Sequence, residues 1–265
     1  MLYCPICKQK LILNDKVYKC VNNHSFDIAR KGYVNLLVSQ TSRQHGDDKS
    51  MSVSRRDFLN KGYYSKLLAN VCDVLGNCKT ILDLGCGECY YSQGIKNSIV
   101  DSTVVSIDIS KTIIETGSAR IRESGIIAAV ANCSKLPLGD GEFDAVLSVF
   151  APVNNNELKR VTKTNGIFVS VTPGPLHLYE LKSAVYDKPN KNPIIDVKLD
   201  GFIKTDSRRL RYKFFIDNNQ DVLNLFSMTP YYYKTSKADM DKLKNISTLE
   251  VTADFYIDVF RKQSS

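Results

Sequence analysis

Apolar positions recur along this chain with two periods, and the switch between them marks out its elements. Short strand-like runs stand at 80–84, 104–108, 126–131, 144–150 and 166–171. Helical spacing fills much of what lies between. The segment Ser110 to Ser124 opens on a serine cap and stops at Gly125. Ahead of the first strand, Phe58-Leu59 and then Tyr64, Leu67, Leu68, Val71, Val74 and Leu75 predict two helices that break near Gly62 and end at Gly76-Asn77. Beyond the fifth strand, 208–216 and 253–260 alternate like an antiparallel pair closing a sheet, with a helix and the aromatic turn Tyr231-Tyr232-Tyr233 between them. Strands alternating with helices predict an α/β domain with a doubly wound, mostly parallel sheet. Residues 10–20 read instead as a small hairpin around an Asn-Asp turn. A polar stretch without periodicity, containing His45 as a solvated loop residue, separates the two parts. The expected division is a module over 1–38, a linker over 39–51 and the α/β domain over 52–265.

The first strand breaks into Leu84-Gly85-Cys86-Gly87-Glu88-Cys89. In doubly wound sheets the first strand–helix turn is the usual ligand site. Gly85 opens backbone angles closed to other residues, and Gly87 lets a ligand approach the main chain. Asp83 lies two residues before the first glycine, and roughly 20 residues on, the second strand ends at Asp108, where a carboxylate holds ribose hydroxyls. A nicotinamide-binding unit would carry a third glycine, yet Tyr90 stands there. Asn132, after the third strand, is placed either for an adenine edge or as a plain turn residue. Leu-Asp-Leu-Gly-Cys-Gly-Glu followed by Ser-Ile-Asp resembles the cofactor pocket of class I (Rossmann-like) S-adenosylmethionine-dependent methyltransferases. After the fourth strand, Phe150-Ala151-Pro152-Val153 lacks both the Asn/Asp-Pro-Pro-aromatic motif of amine methylation and the Pro-Cys nucleophile of C5 methylation. Direct transfer to a ring nitrogen or an oxygen fits what remains. Phe150 is open to two roles, stacking on a base or packing in the core.

Three of the eight cysteines fall in the first 20 residues. Cys4-x2-Cys7 and, after 12 intervening residues, Cys20-x3-His24 form two close pairs with the ligand spacing of a closed tetrahedral zinc site. So short a segment needs the metal to fold. Cys86 and Cys89 form a second C-x2-C, but with no partner pair nearby they read as incidental. A net charge of +8 favours a polyanionic partner without proving one. The chain lacks an apolar run of membrane-spanning length and a secretory leader, so no membrane association is expected and the cytoplasm is the expected compartment.

Taken together, Cys4-x2-Cys7…Cys20-x3-His24, Phe26-Asp27 with Ala29-Arg30-x-Gly32-Tyr33, Phe58-Leu59-x-x-Gly62-x-Tyr64, the glycine turn, Phe150-Ala151-Pro152 and Thr172-Pro173-Gly174-Pro175-x-His177-Leu178 resemble the RlmA-type (RrmA) 23S rRNA guanine-N1 methyltransferases. The resemblance implies a zinc module that helps recognise an rRNA hairpin, S-adenosylmethionine as donor, and cofactor contacts from Tyr64, Gly87-Glu88 and His177. It also implies a homodimer and, in some members, macrolide resistance. Glu88 and His177 are the candidate bases for the N1 proton. Two departures stand out: Cys89 replaces a family glycine, implying a tighter pocket rim, and Val153 replaces a cysteine. Two other readings are a small-molecule methyltransferase with a structural zinc knuckle and a non-catalytic rRNA-binding protein.

Overall fold

The computed structural model describes residues 1–38 and 49–264; His45 and most of the expected linker lie outside the described residues. Four short strands open the chain: β1 (Ile12–Asn14), β2 (Val17–Lys19), β3 (Ser25–Asp27) and β4 (Tyr33–Asn35). The first three form an antiparallel sheet of their own, whereas β4 joins the large sheet parallel to its edge. Two helices follow, α1 (Lys49–Asn60) and α2 (Ser65–Leu75), separated at Gly62 as the spacing predicts.

The parallel core comprises β5 (Thr80–Leu84), α3 (Tyr90–Ser98), β6 (Thr103–Asp108), α4 (Lys111–Thr116), α5 (Ser118–Ser124), β7 (Ile127–Val130) and β8 (Phe143–Val149). It continues through α6 (Asn155–Val161), β9 (Thr162–Pro173) and α7 (Tyr179–Val185). The chain ends with β10 (Phe202–Ile216), α8 (Asn219–Ser227), α9 (Lys237–Lys242) and β11 (Leu249–Lys262). The large sheet runs β10-β11-β9-β8-β5-β6-β7-β4, with β11 inserted antiparallel between β9 and β10. Strand order reverses between β5 and β8, the switch point at which open α/β sheets bind ligands beyond the strand ends.

Two expectations need correction. The single helix over 110–124 is two helices broken at Gly117, because a Cβ there would stand 2.3 Å from the Glu88 carbonyl oxygen; backbone packs on backbone and the helix must bend. The serine cap itself forms, with Ser110 Oγ accepting the Ile113 amide. Strict strand–helix alternation also fails, since 131–142 links β7 to β8 without a helix. The N-terminal module packs in that place. Leu2 bridges to Leu138, Tyr3 N–H donates to the Pro137 carbonyl at 2.8 Å, and Leu2, Leu11, Leu136 and Leu138 bury into one core with β5 and β6. Lys31 and Tyr33 both bond to Glu115, at 2.8 and 2.9 Å, fastening the module to α4.

Candidate active site and metal centre

The glycine turn is built by close approach. Gly85 and Gly87 have φ of 69° and 57°, in the left-handed region where a side chain is strained. A Cβ on Gly85 would lie 2.5 Å from the Ala151 Cβ, so this glycine lets the segment after β8 pack directly on the turn. The Gly85 and Cys86 amides donate to the Ile107 carbonyl, which ties the turn to the end of β6. Asp108 completes the lock: Oδ2 accepts the Gly87 amide at 3.0 Å and Oδ1 the Ser110 amide at 2.8 Å. Beside it Asp83 is buried, with Ser92 Oγ donating at 2.5 Å, and burial together with the charges of Asp108 and Glu88 pushes its carboxyl up to about 7. Burial also raises Asp108. Acids gathered under a glycine turn suit a ligand that carries positive charge.

Glu88, also buried, is held by cations that the sequence did not reveal. Arg120 Nη1 donates to its carbonyl at 3.1 Å and to Oε1 at 3.4 Å, and Arg55 Nε lies 3.9 Å from Oε2, which has no hydrogen-bond partner. These contacts join residues more than 30 positions apart, so no local spacing signals them. Cys89 adopts φ 65° as the cap of α3, a left-handed angle that glycine would take without strain. Its side chain is fully buried, Sγ 3.8 Å from Cys86 Sγ, so the departure acts on backbone strain rather than on the pocket rim.

A second group of residues meets above the turn. Tyr64 is buried at the α1–α2 break, its hydroxyl 3.4 Å from His177 Nε2. His177 Nδ1 accepts the Asp254 amide at 3.4 Å, which leaves Nε2 as the protonated nitrogen, and burial drives the imidazole down to about 3. The ring is therefore neutral at physiological pH. Phe255 packs 4.7 Å from it, and Phe150 stacks on it at 5.9 Å and 27°. Phe150 is 46% exposed and has φ 59°, so it is an outward ring on a strained backbone rather than core. Asp254, missed in the sequence because nothing nearby pairs with it, is the hub behind His177. Its carboxylate accepts from Arg209 Nε and Nη2, each at 2.9 Å, and from the Leu176 amide at 3.0 Å. Burial would raise this carboxyl, but these donors together hold it below the usual range. Asn132 is exposed, and its Oδ1 accepts the Ser134 amide at 2.8 Å.

The metal centre is separate. One ligand atom each from Cys4, Cys7, Cys20 and His24 lie within 4.8 Å of one another. Cys4 Sγ–His24 Nδ1, Cys7 Sγ–Cys20 Sγ and Cys20 Sγ–His24 Nδ1 are each 3.5 Å apart. A tetrahedron with zinc–sulfur bonds of ~2.3 Å and zinc–nitrogen bonds of ~2.0 Å has edges of roughly 3.5–3.8 Å, so the set fits zinc. The Gln9 amide pointing at the Cys7 sulfur lowers that thiol to about 6, towards the thiolate a metal needs. Four protein ligands close the shell, and the zinc is structural.

Fold, glycine turn and the buried acids beneath it define an S-adenosylmethionine-dependent methyltransferase with a structural zinc ribbon. Residues 2–44 match the RlmA N-terminal family model and residues 81–166 a methyltransferase domain. Over 191 residues the chain is 32% identical to the 23S rRNA (guanine(748)-N(1))-methyltransferase of Streptomyces fradiae, covering 69% of this chain and 67% of that one. Over 274 residues it is 29% identical to the "Putative 23S rRNA (guanine-N(1)-)-methyltransferase YxjB" of Bacillus subtilis (strain 168), covering 96% and 94%. The chain belongs to the 23S rRNA (guanine-N1)-methyltransferase family.

Proposed function

We propose that this enzyme transfers the methyl group of S-adenosylmethionine to N1 of a guanine in a hairpin loop of 23S rRNA, working in the cytoplasm as a homodimer. The observation that carries the reading is Phe150, an exposed ring stacked on His177 beside the glycine turn. A guanine splayed out of a loop needs such a face to stack on. Asp108 takes the ribose hydroxyls of the donor, Gly85 and Gly87 admit it to the main chain, and Asp83 adds negative potential for its sulfonium and ammonium charges. Tyr64 and His177 wall the pocket, and Asn132 meets the adenine edge. Catalysis is mainly orientation, with sulfonium methyl and guanine N1 held in line: the N1–methyl bond forms as the sulfonium C–S bond breaks, S-adenosylhomocysteine leaves and the N1 proton is released to water.

His177 already carries a proton on Nε2 and resists a second, and Glu88 is clamped by Arg120. Both are read as positioning groups rather than proton acceptors. Residues 1–38 serve as the rRNA-recognition module and 52–265 as the catalytic domain, whose first helix already begins at Lys49, inside the expected linker. Among the described residues no helix is long and apolar enough to cross a membrane. The test is incubation with methyl-labelled S-adenosylmethionine and protein-free 23S rRNA, then digestion to nucleosides. Label in N1-methylguanosine supports the reading. Label confined to another nucleoside, or absent from rRNA while the donor binds, refutes it. Light scattering of the purified protein decides between dimer and monomer.

A further inference from the structure

A groove of about 220 Å³ opens beside the pocket, where the α1–α2 break meets the end of β10. Strand register fixes its position. Leu210 pairs with Phe255, which pairs in turn with Pro173 at the carboxyl end of β9, so Tyr212 to Phe214 continue past the strand ends on the side of the glycine turn. The groove and the pocket share a wall: the Tyr64 ring packs on Phe214 at 6.2 Å and that of Phe255 lies 6.4 Å from Tyr212, and both touch His177.

The lining pairs cations with aromatic faces. Lys61 and Lys66 are exposed, and neither has an ion-pair partner among the described residues. Lys66 Nζ sits 5.1 Å over the Tyr212 ring, a charge held above an aromatic floor. Lys213 is paired with Glu250, both at the surface. Tyr212 Oη donates to the Tyr63 carbonyl at 2.7 Å, so the floor is braced to the helix break rather than mobile. One ammonium over a braced ring, with a second unpaired lysine lining the same groove, matches a single-stranded nucleotide, whose phosphate takes the charges and whose base or sugar takes the aromatic side. A solvated surface would leave lysines free but would not need the aromatic floor.

We propose that this groove binds the rRNA nucleotide next to the methylated guanine, with its phosphate on Lys61 and Lys66. The inference rests on the rRNA reading above. It explains how the loop stays registered while the target base is extruded: the neighbour is anchored on one side of the Tyr64–Phe255 wall and the target enters on the other.

The test is filter binding of protein-free 23S rRNA to wild type, the Lys61→Ala/Lys66→Ala double variant and a Lys79→Ala control at the opposite end of the sheet, across a KCl series. Two lost phosphate contacts on a single strand flatten the slope of log K against log [KCl] by about 1.4 and weaken binding at moderate salt by about tenfold. The double variant should show both effects and a raised KM for rRNA. Its kcat at saturating rRNA and its affinity for S-adenosylmethionine should match wild type, because neither lysine belongs to the donor pocket. Lys61→Arg/Lys66→Arg should restore the slope. An unchanged slope in the double variant, or an equal change in Lys79→Ala, overturns the groove and leaves the rRNA reading standing if wild type still methylates. A wild type that neither binds nor methylates rRNA overturns both.

Discussion

Gly117→Ala isolates the contact that joins the α4–α5 junction to the glycine turn. Gly117 has φ −84°, an angle any residue accepts, so alanine brings no backbone strain. The whole cost is steric. Its Cβ would meet the Glu88 carbonyl oxygen at 2.3 Å, the carbonyl carbon at 2.7 Å and Cα at 3.0 Å, all backbone atoms that no rotamer change can move. Overpacking of this kind costs ~1–3 kcal/mol, and this contact belongs at the upper end. At about 2–4 °C per kcal/mol for a chain of this size, Tm should fall by roughly 5–10 °C. Displacing Glu88 also displaces Gly87, whose amide sits on Asp108, so affinity for S-adenosylmethionine should drop by about tenfold or more. Gly125→Ala is the control with the opposite cause: φ is 70° and nothing lies within 4 Å, so strain alone costs ~1 kcal/mol and donor binding is untouched. Scanning calorimetry and titration calorimetry read the two quantities separately. Gly117→Ala with a wild-type Kd for the donor and a Tm within 1 °C of wild type would refute the reasoning.

Asp108→Asn sets an amide N–H₂ against the Gly87 or Ser110 amide, replacing a charge-assisted bond with a clash of donors; at ~1.5–3 kcal/mol the donor Kd should rise about 10- to 100-fold, and a Kd within twofold of wild type would contradict the assigned role. Asp83 has a folded pKa near 7, above its unfolded value, so its contribution to stability is full below pH 4 and is lost as pH rises through 7. Relative to wild type, Asp83→Asn should therefore gain stability between pH 5 and pH 8, by up to ~4 kcal/mol at ~1.4 kcal/mol per pH unit; urea melts of both proteins showing a pH-independent difference would exclude the effect. Metal analysis should find one zinc per chain. Because Leu2 and Leu11 share a core with Leu136 and Leu138, chelation or Cys7→Ser should lower the Tm of the whole chain, and a main transition left where it was would show that the module melts alone.

The sequence was most legible where chemistry is local. The zinc pairs, the glycine turn, the acid ending β6 and the Ser110 cap each depend on residues a few positions apart, and each forms as its spacing predicts. The mostly parallel sheet and the antiparallel pair that closes it followed from strand–helix alternation and from the alternating pattern of β10 and β11, whereas the place of β4 at the far edge did not. What stayed hidden depends on contacts across the chain. Gly117 reads as an ordinary helical glycine until Glu88 packs on it, and Arg120 and Arg55 become partners of Glu88 only through folding. Asp254 lies 77 positions from His177. The missing helix between β7 and β8 leaves no periodic trace either, because the N-terminal module supplies the apolar cover from elsewhere.

Reverse transcription across 23S rRNA after incubation with enzyme and S-adenosylmethionine tests the central claim most directly, since a methyl on N1 of guanine blocks Watson–Crick pairing and halts the polymerase. One strong, donor-dependent stop is expected at a guanine in a hairpin loop, absent without enzyme and weakened in Asp108→Asn. Read-through along the whole molecule, with the donor bound and the zinc in place, would contradict it.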